Sequence, residues 1–297
     1  MTMRDHTGTI NAISAYIMWG FAPLYFKLLA NVNASEILIH RIVWSCLLLL
    51  IIVIGTQKWR YVQTIFKQPK LIIKLTITAS ILAINWFLFI WAINNDHLLD
   101  ASLGYFINPL FSVALGMIFL QERLRKWQKI AVLLAIIGVL IQLVVLGSLP
   151  IISLALAASF GTYGLLRKQM AVDSFVGLLF ESWLMLPLAL IFWAFFIDSS
   201  TSNLFQNSWQ LNVLLMAAGV ITTAPLLCFT AAAKRLTLST LGFFQYIGPS
   251  IMFILATFVY YEPLQTAKLT TFTLIWLALA IYSVDSFNAR KQYNAQV

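Results

Sequence analysis

Apolar residues fall along this chain in long, nearly unbroken runs, and polar residues gather in the short stretches between them. Neither the two-residue alternation of a half-buried strand nor the narrow stripe of a surface helix describes that pattern. A run of about 20 apolar residues crosses the ~30 Å of hydrocarbon in a bilayer. Ten runs approach that length, at 8–29, 35–54, 71–93, 100–120, 128–146, 149–167, 174–197, 210–233, 239–260 and 267–285. Each predicts a helix, because lipid offers no partner to a free backbone amide or carbonyl.

Composition turns the pattern into a solvent assignment. The 297 residues are 61% hydrophobic and 10% charged, against about 25% charged in a soluble domain. Such a chain lacks the polar surface that water requires, so its expected partner is the lipid bilayer. A net charge of +9 raises nucleic acid as a partner, but the basic residues sit in small clusters between apolar runs. Membrane topology produces that spacing, and no nucleic-acid partner is expected. With the N-terminus in the cytoplasm, the inner segments hold Arg4, Lys58, Arg60, Lys67, Lys70, Lys74, Arg123, Arg125, Lys126, Lys129, Arg167, Lys168, Lys234, Arg235, Arg290 and Lys291. Of the 19 lysines and arginines only Lys27, Arg41 and Lys268 fall elsewhere. That bias predicts both termini on the cytoplasmic side. Arg4 ahead of an apolar run imitates a secretion signal, yet the run extends for about 20 residues with no A-x-A-like site. The first span is expected to be retained.

A second pattern lies on top of the first. Ile107, Pro109, Leu115, Glu122 and Leu124 recur at one common spacing as Ile247, Pro249, Leu255, Glu262 and Leu264. Proline and glutamate are rare in apolar runs, and both recur together. The first and sixth runs share Gly20/Gly161 and Lys27/Lys168, while Phe89 and Ala92 of the third recur as Phe229 and Ala232 of the eighth. The chain therefore reads as two copies of one unit, residues 1–147 and 148–297. Five runs separate each helix from its counterpart, so the copies cross the membrane in opposite directions. The predicted fold is an all-α polytopic membrane protein of ten transmembrane helices in two inverted five-helix repeats, a frequent build among secondary transporters.

Polar groups at membrane depth mark candidate chemistry. Pro109 and Pro249 sit near mid-span and deprive the carbonyls of Tyr105 and Gln245 of a helical partner. They read either as hinges beside a watered cavity or as kinks that only shape packing. In the cavity reading Asn108 and Gln245 offer amides to a substrate. Asn85 in the third run is aligned with Pro225 of the eighth. Lys27, His40 and Arg41 converge near the outer mouth, as an anion-binding group, an outer gate or cations reaching for headgroups, with Glu36 as a local partner of His40. By the repeat's register, Lys168 stands for Lys27 and Glu181 for His40, which suggests an inner gate. Glu181 is also a candidate proton site, with a structural ion pair as the alternative. Trp19, Trp86, Tyr163 and Tyr246 lie deep enough to wall a cavity, while Trp59, Trp127 and Trp209 read as interfacial. Glu122 and Glu262 read as anchors at the ends of their helices. Cys46 and Cys228 sit inside apolar runs as small hydrophobes.

At WGFAPLYFK in the first run, EILIHRIVWS in the second, GYFINPL and FLQERL in the fourth, and FGTYGLLRK in the sixth, the chain resembles the EamA branch of the drug/metabolite transporter superfamily, and within it the RarD group. The resemblance covers essentially the whole chain. It implies ten helices in a five-plus-five inverted repeat, a central cavity, alternating access, export rather than import, and a prokaryotic inner membrane. It implies a small-molecule substrate such as an amino acid, a carboxylate or a drug-like metabolite, without choosing among them.

An embedded enzyme would need a nucleophile with its base or a metal cluster, and no H-E-x-x-H, G-x-S-x-G, Walker loop or cysteine pair is present. No catalytic residue, metal or cofactor is expected. A solute channel and a non-transporting membrane scaffold remain as alternatives, and the working unit is expected to be a monomer or a homodimer.

Overall fold

The computed structural model describes residues 3–95, 98–147, 151–197, 199, 201, 203–259, 261 and 266–296. Those residues form twelve helices: α1 (Met3–Leu28), α2 (Ala34–Gly55), α3 (Trp59–Phe66), α4 (Pro69–Asn94), α5 (Leu98–Phe119), α6 (Lys126–Leu146), α7 (Ile151–Gln169), α8 (Ser174–Phe196), α9 (Trp209–Ala233), α10 (Leu238–Gln245), α11 (Ile247–Phe258) and α12 (Thr266–Gln296). Among the described residues, seven helical stretches are long and apolar enough to cross a membrane, and Leu103–Phe119 of α5 is a shorter apolar helix. Large apolar side chains such as Phe87, Val144, Phe195 and Trp209 are exposed around the bundle. In water such a surface would be a liability; in lipid it is the solvated face.

Local chemistry sets the helix ends. Asn33, Asp173, Ser208 and Thr237 each accept a backbone N–H of the first turn they precede, which satisfies donors that have no partner within the helix. α6 ends at Gly147, whose φ of 69° is the left-handed conformation glycine adopts without strain.

Two features depart from the pattern of runs. The polar stretch after α2 folds into the short helix α3, which buries Val62 and Ile65. The run expected at 239–260 is two helices, α10 and α11, meeting at Tyr246. Pro249 lies just beyond that break, whereas Pro109 sits inside the unbroken α5. A proline removes one backbone bond, and the surrounding packing decides whether the helix parts there. Glu262, the expected anchor of the second copy, lies outside the described residues.

The most extensive packing joins α5 to α7, α6 to α12, α2 to α9, α1 to α9 and α5 to α10. Each of these pairs takes one helix from before Gly147 and one from after it. Neither half builds its own core; the interior lies between them. α2 and α9 cross closely at Gly219, where a Cβ would come within 2.6 Å of the Trp44 backbone carbonyl carbon.

Candidate functional site

A cavity of about 290 Å³ occupies this inter-half interior. α1 contributes Tyr16, Trp19, Ala22, Pro23 and Phe26, α2 contributes Arg41, and α4 contributes Asn85, Trp86 and Phe89. α5 adds Gly104, Tyr105 and Asn108, α7 adds Leu156 and Phe160, and α9 adds Thr222 and Leu226. Gln245 at the end of α10 and Gly248, Pro249 and Met252 of α11 complete the wall. The prolines explain part of the shape, since Pro23 interrupts the ladder of α1 and Pro249 lies in the first turn of α11, just past the break at Tyr246.

Arg41 is the only charged residue of that lining. Its Nε donates to Thr222 Oγ1 at 2.9 Å. The guanidinium carbon lies 4.8 Å from the centre of the Trp86 ring and 5.8 Å from that of Phe26. Among the described residues no carboxylate pairs with it. Asn85 is turned into the scaffold, donating through Nδ2 to the Leu156 carbonyl at 3.0 Å and to Ser159 Oγ at 2.8 Å. Gln245 Nε2 donates to Ser112 Oγ at 3.2 Å. Two buried acceptors of the lining, Asn108 Oδ1 and Gln245 Oε1, have no hydrogen-bond partner, and the Tyr16 hydroxyl lies beside the Gln245 amide. The cavity thus combines apolar walls with a few polar groups left unfilled, as ligand sites do.

At one end, Tyr105 is 41% exposed and edges against Phe89. At the other end, rings close the floor. Tyr16, Trp19 and Phe160 pack onto Phe229 with centroids 6.4, 5.9 and 5.1 Å away, and Phe229 stacks on Tyr163 at 6.2 Å. Beneath the rings lies a polar layer. Glu181 accepts from Thr78 Oγ1 at 2.6 Å and the Tyr163 hydroxyl at 3.1 Å, and it pairs with Arg167 at 3.4 Å. Gly177 makes room for that guanidinium, because a Cβ there would collide with Arg167 Nη1. Lys168 Nζ donates to the Ala233 and Leu236 carbonyls. Glu122 accepts from the Leu238 N–H at 2.6 Å and the Ser239 N–H at 2.8 Å, tying the end of the α5 segment to the start of α10. A second void of about 10 Å³ shares Trp86, Thr222 and Leu226 with the cavity and reaches Ser45, Ser182 and Glu181, room for about one water.

The structure therefore brings Trp19, Arg41, Asn85, Trp86, Tyr105, Asn108, Gln245 and Pro249 to one cavity, and sets other candidates apart. Lys27 is exposed near the end of α1. His40 is fully buried on another side of α2, accepting from Trp44 Nε1 at 3.1 Å, edging Trp193 and lying 4.0 Å from Glu36. Tyr163 stacks behind Phe229 in the floor with its hydroxyl on Glu181, outside the cavity lining, and the Tyr246 hydroxyl donates to the Phe106 carbonyl at 3.3 Å. Pro109 is buried against α10, its carbonyl oxygen 2.8 Å from where a Gly242 Cβ would stand. Lys168 binds backbone carbonyls, and the cation beside Glu181 is Arg167. Sequence reasoning missed Tyr16, Phe26, Thr222 and Arg167. Tyr16 and Phe26 fall three before and seven after Trp19 on one face of α1, a signal that was available. Among the described residues no group of three or more His, Cys, Asp or Glu side chains could hold a metal.

An all-helical bundle with a lipid-facing apolar surface and an internal, partly polar cavity defines a membrane transport protein. Comparison with known proteins places it further. The EamA-like transporter family matches residues 6–144. An uncharacterized transporter of Vibrio cholerae serotype O1 is 57% identical over 282 residues, covering 95% of this chain and 93% of that protein. Protein RarD of Escherichia coli K12 is 52% identical over 289 residues, covering 97% of this chain and 98% of its own. The chain belongs to the EamA-like transporter family, in its RarD group. A crystal structure of a protein 17% identical in sequence overlays 93% of this chain and 97% of its own with a TM-score of 0.74, a likeness of fold.

Proposed function

We propose that the protein is a carrier of a small organic solute, such as an amino acid, a carboxylate or a drug-like metabolite, that works by alternating access. The observation that carries this reading is the cavity itself. Its walls come from helices on both sides of Gly147, and its floor is shut by the Tyr16–Trp19–Phe160–Phe229–Tyr163 rings over a polar layer. A site enclosed between two halves and sealed at one end is what rocking of one unit against the other requires.

In this reading ten spans form two inverted units, 1–147 and 148–297, with α10 and α11 serving as one span and α3 lying at the surface. The packing supports it: α1 against α9 is answered by α7 against α4, and α2 against α9 by α8 against α4. Exchanging first with sixth, second with seventh and third with eighth maps each pair on its counterpart. Both termini lie in the cytoplasm, the membrane is the plasma membrane (the inner membrane of a prokaryote), and export is favoured over import. The sealed floor then faces the cytoplasm, with Glu122, Lys168, Arg167 and Glu181 as the inner closure. Pro249 at the α10–α11 break and Pro109 act as hinges. The protein performs no covalent chemistry and carries no cofactor.

Accessibility tests the mechanism. In a chain freed of Cys46 and Cys228, Met252→Cys should react with a membrane-impermeant thiol reagent from either face. A short bis-maleimide joining Glu122→Cys to Ser239→Cys should abolish labelling from the cytoplasmic face and keep it from the outer face. Labelling from both faces after cross-linking would mean a pore, and labelling from neither face before it would mean a scaffold.

A further inference from the structure

We infer that the solute is an organic monoanion with a flat apolar body, held by the Arg41 guanidinium. This deepens the carrier reading and rests on it. The argument begins with charge. Arg41 is the only charged residue of the lining, and among the described residues it has no carboxylate partner. Its Nε is engaged by Thr222, so the two terminal nitrogens of the fork are those left for a ligand. A cation at membrane depth is costly unless water or a partner compensates it. The partner missing from the protein is an anion, and one negative charge brings the cavity to neutrality. An ammonium finds no carboxylate in that lining and meets the field of Arg41, so amphiphilic cations are disfavoured. A zwitterion leaves the cavity as positive as it was.

Geometry adds shape to the charge. The Trp86 and Phe26 rings, 4.8 and 5.8 Å from the guanidinium carbon, fix the plane of the fork before any ligand arrives. A carboxylate or similar planar oxyanion accepts two parallel N–H donors from such a fork. The rest of the wall is aromatic or aliphatic, with Trp19, Phe89, Phe160 and Leu226 able to sandwich a flat body. At about 290 Å³ the cavity is at the small end of ligand sites. Away from Arg41, the unfilled acceptors of Asn108 and Gln245 ask for a hydrogen-bond donor on the ligand.

Three near-isosteric probes test this: 4-hydroxybenzoate, 4-hydroxybenzamide and 4-hydroxybenzylamine. Each is titrated against the purified full chain in nanodiscs of zwitterionic lipid, following Trp fluorescence and melting temperature. 4-Hydroxybenzoate should bind at least tenfold more tightly than the amide, and the amine should bind least. Arg41→Gln should lower benzoate affinity tenfold to a hundredfold, to the level of the amide, as loss of hydrogen bonds to a charged group does. The apo melting temperature of Arg41→Gln should stay unchanged or rise, since a guanidinium at membrane depth with no carboxylate partner costs the fold more than its one bond to Thr222 returns; a fall of ten degrees or more would assign Arg41 to the scaffold and overturn the inference. Equal binding of acid and amide, tighter binding of the amine, or no binding of any probe would also overturn it. So would displacement of 4-hydroxybenzoate by phosphatidylglycerol added to the disc, which would make the ligand a lipid headgroup. If the two-faced labelling of Met252→Cys holds while the amide or amine wins, only the charge assignment has failed. If that labelling fails as well, the carrier reading has gone with it.

Discussion

The Glu122 carboxylate accepts the Ser239 N–H at 2.8 Å and the Ser239 hydroxyl at 2.7 Å, across a sequence separation of 117 residues. The chain reaches this contact through Gln121, whose φ of 54° turns it back after α5. A negative charge at a helix N-terminus satisfies orphan N–H donors and opposes the positive end of the helix dipole. Here it does so between the two halves, at the start of the helix that ends in the break at Tyr246. Glu122→Ala should cost roughly 2 kcal/mol, the upper range for a lost cap, read as a lower melting temperature. It should also raise thiol labelling of Met252→Cys from the cytoplasmic face, where the floor is otherwise shut. A stability loss with unchanged labelling would leave Glu122 as a staple and remove it from the gate.

Arg167 and Glu181 pose a different problem, because both are fully buried in an apolar bundle. Arg167 Nε and Nη2 have no hydrogen-bond partner, so the pair is only partly compensated. Removing one member leaves a lone buried charge, a loss of about 3–5 kcal/mol. Removing both with apolar groups of similar volume costs far less. Glu181→Gln alone should therefore lower folded yield and melting temperature sharply, and Arg167→Met in that background should recover most of the loss. If each single change is mild and the double change is the worst, the pair is not what holds this layer.

How much of this was readable beforehand depends on the kind of signal. The all-helical, membrane-embedded character was, because a run of apolar residues of bilayer length has few other uses, and among the described residues seven helical stretches reach that length. Polar groups inside those runs were also visible, and Arg41, Asn85, Asn108 and Gln245 do meet at one cavity. Direction was not visible. A helix that is apolar all round carries no stripe to say which side faces the interior. His40, Tyr163 and Tyr246 thus share the depth of cavity residues while pointing elsewhere. The break at Tyr246 and the intact helix at Pro109 show the same limit, since both prolines remove one bond and tertiary packing decides the rest. Arg167 follows Tyr163 by one helical turn and shares its face, but its partner Glu181 stands on another helix, which no local spacing reports.

Asn108 and Gln245 should separate transport from folding. Asn108 Oδ1 and Gln245 Oε1 are buried without a partner, so truncation removes atoms that contribute little to the fold. Asn108→Ala should change stability by less than about 1 kcal/mol, and Gln245→Ala by about 1 kcal/mol more through the lost bond to Ser112. Counter-flow of 4-hydroxybenzoate in proteoliposomes should fall several-fold in both. Parallel losses of folded yield and flux would assign the two amides to packing.

Lys234 supplies a pH signature outside the spans, just past the end of α9. Burial, reinforced by the Arg167 charge and opposed by Asp173, pushes its ammonium down from 10.5 to about 8. Between about pH 8 and 10.5 the unfolded chain holds this proton and the folded protein does not, so stability rises with pH across that window. Below about pH 8 both states are charged and the folded state bears the full penalty. Lys234→Gln removes the penalty. Its melting temperature should exceed that of the unsubstituted protein most at pH 7, and the difference should shrink toward pH 10.5. A difference independent of pH would mean that the side chain acts by packing alone.

Gly219 tests the inter-half interior most directly. A Cβ on α9 at this point would stand 2.6 Å from both the carbonyl carbon and the Cβ of Trp44 on α2, and 2.8 Å from the Trp44 carbonyl oxygen. Backbone atoms cannot swing aside as a flexible side chain can, so the two helices must separate. In lipid, where helices associate through close packing more than through exclusion of water, that separation has little to offset it. Gly219→Ala should cost about 1–3 kcal/mol, the range for overpacking. The strain lies near Ser45, whose hydroxyl donates to the Gly219 carbonyl at 3.2 Å, and one turn from Thr222, which holds Arg41. The variant should therefore weaken 4-hydroxybenzoate binding as well as stability, although no ligand-contacting atom has changed. Loss of stability with intact binding would show that the α2–α9 crossing and the Arg41 site move independently.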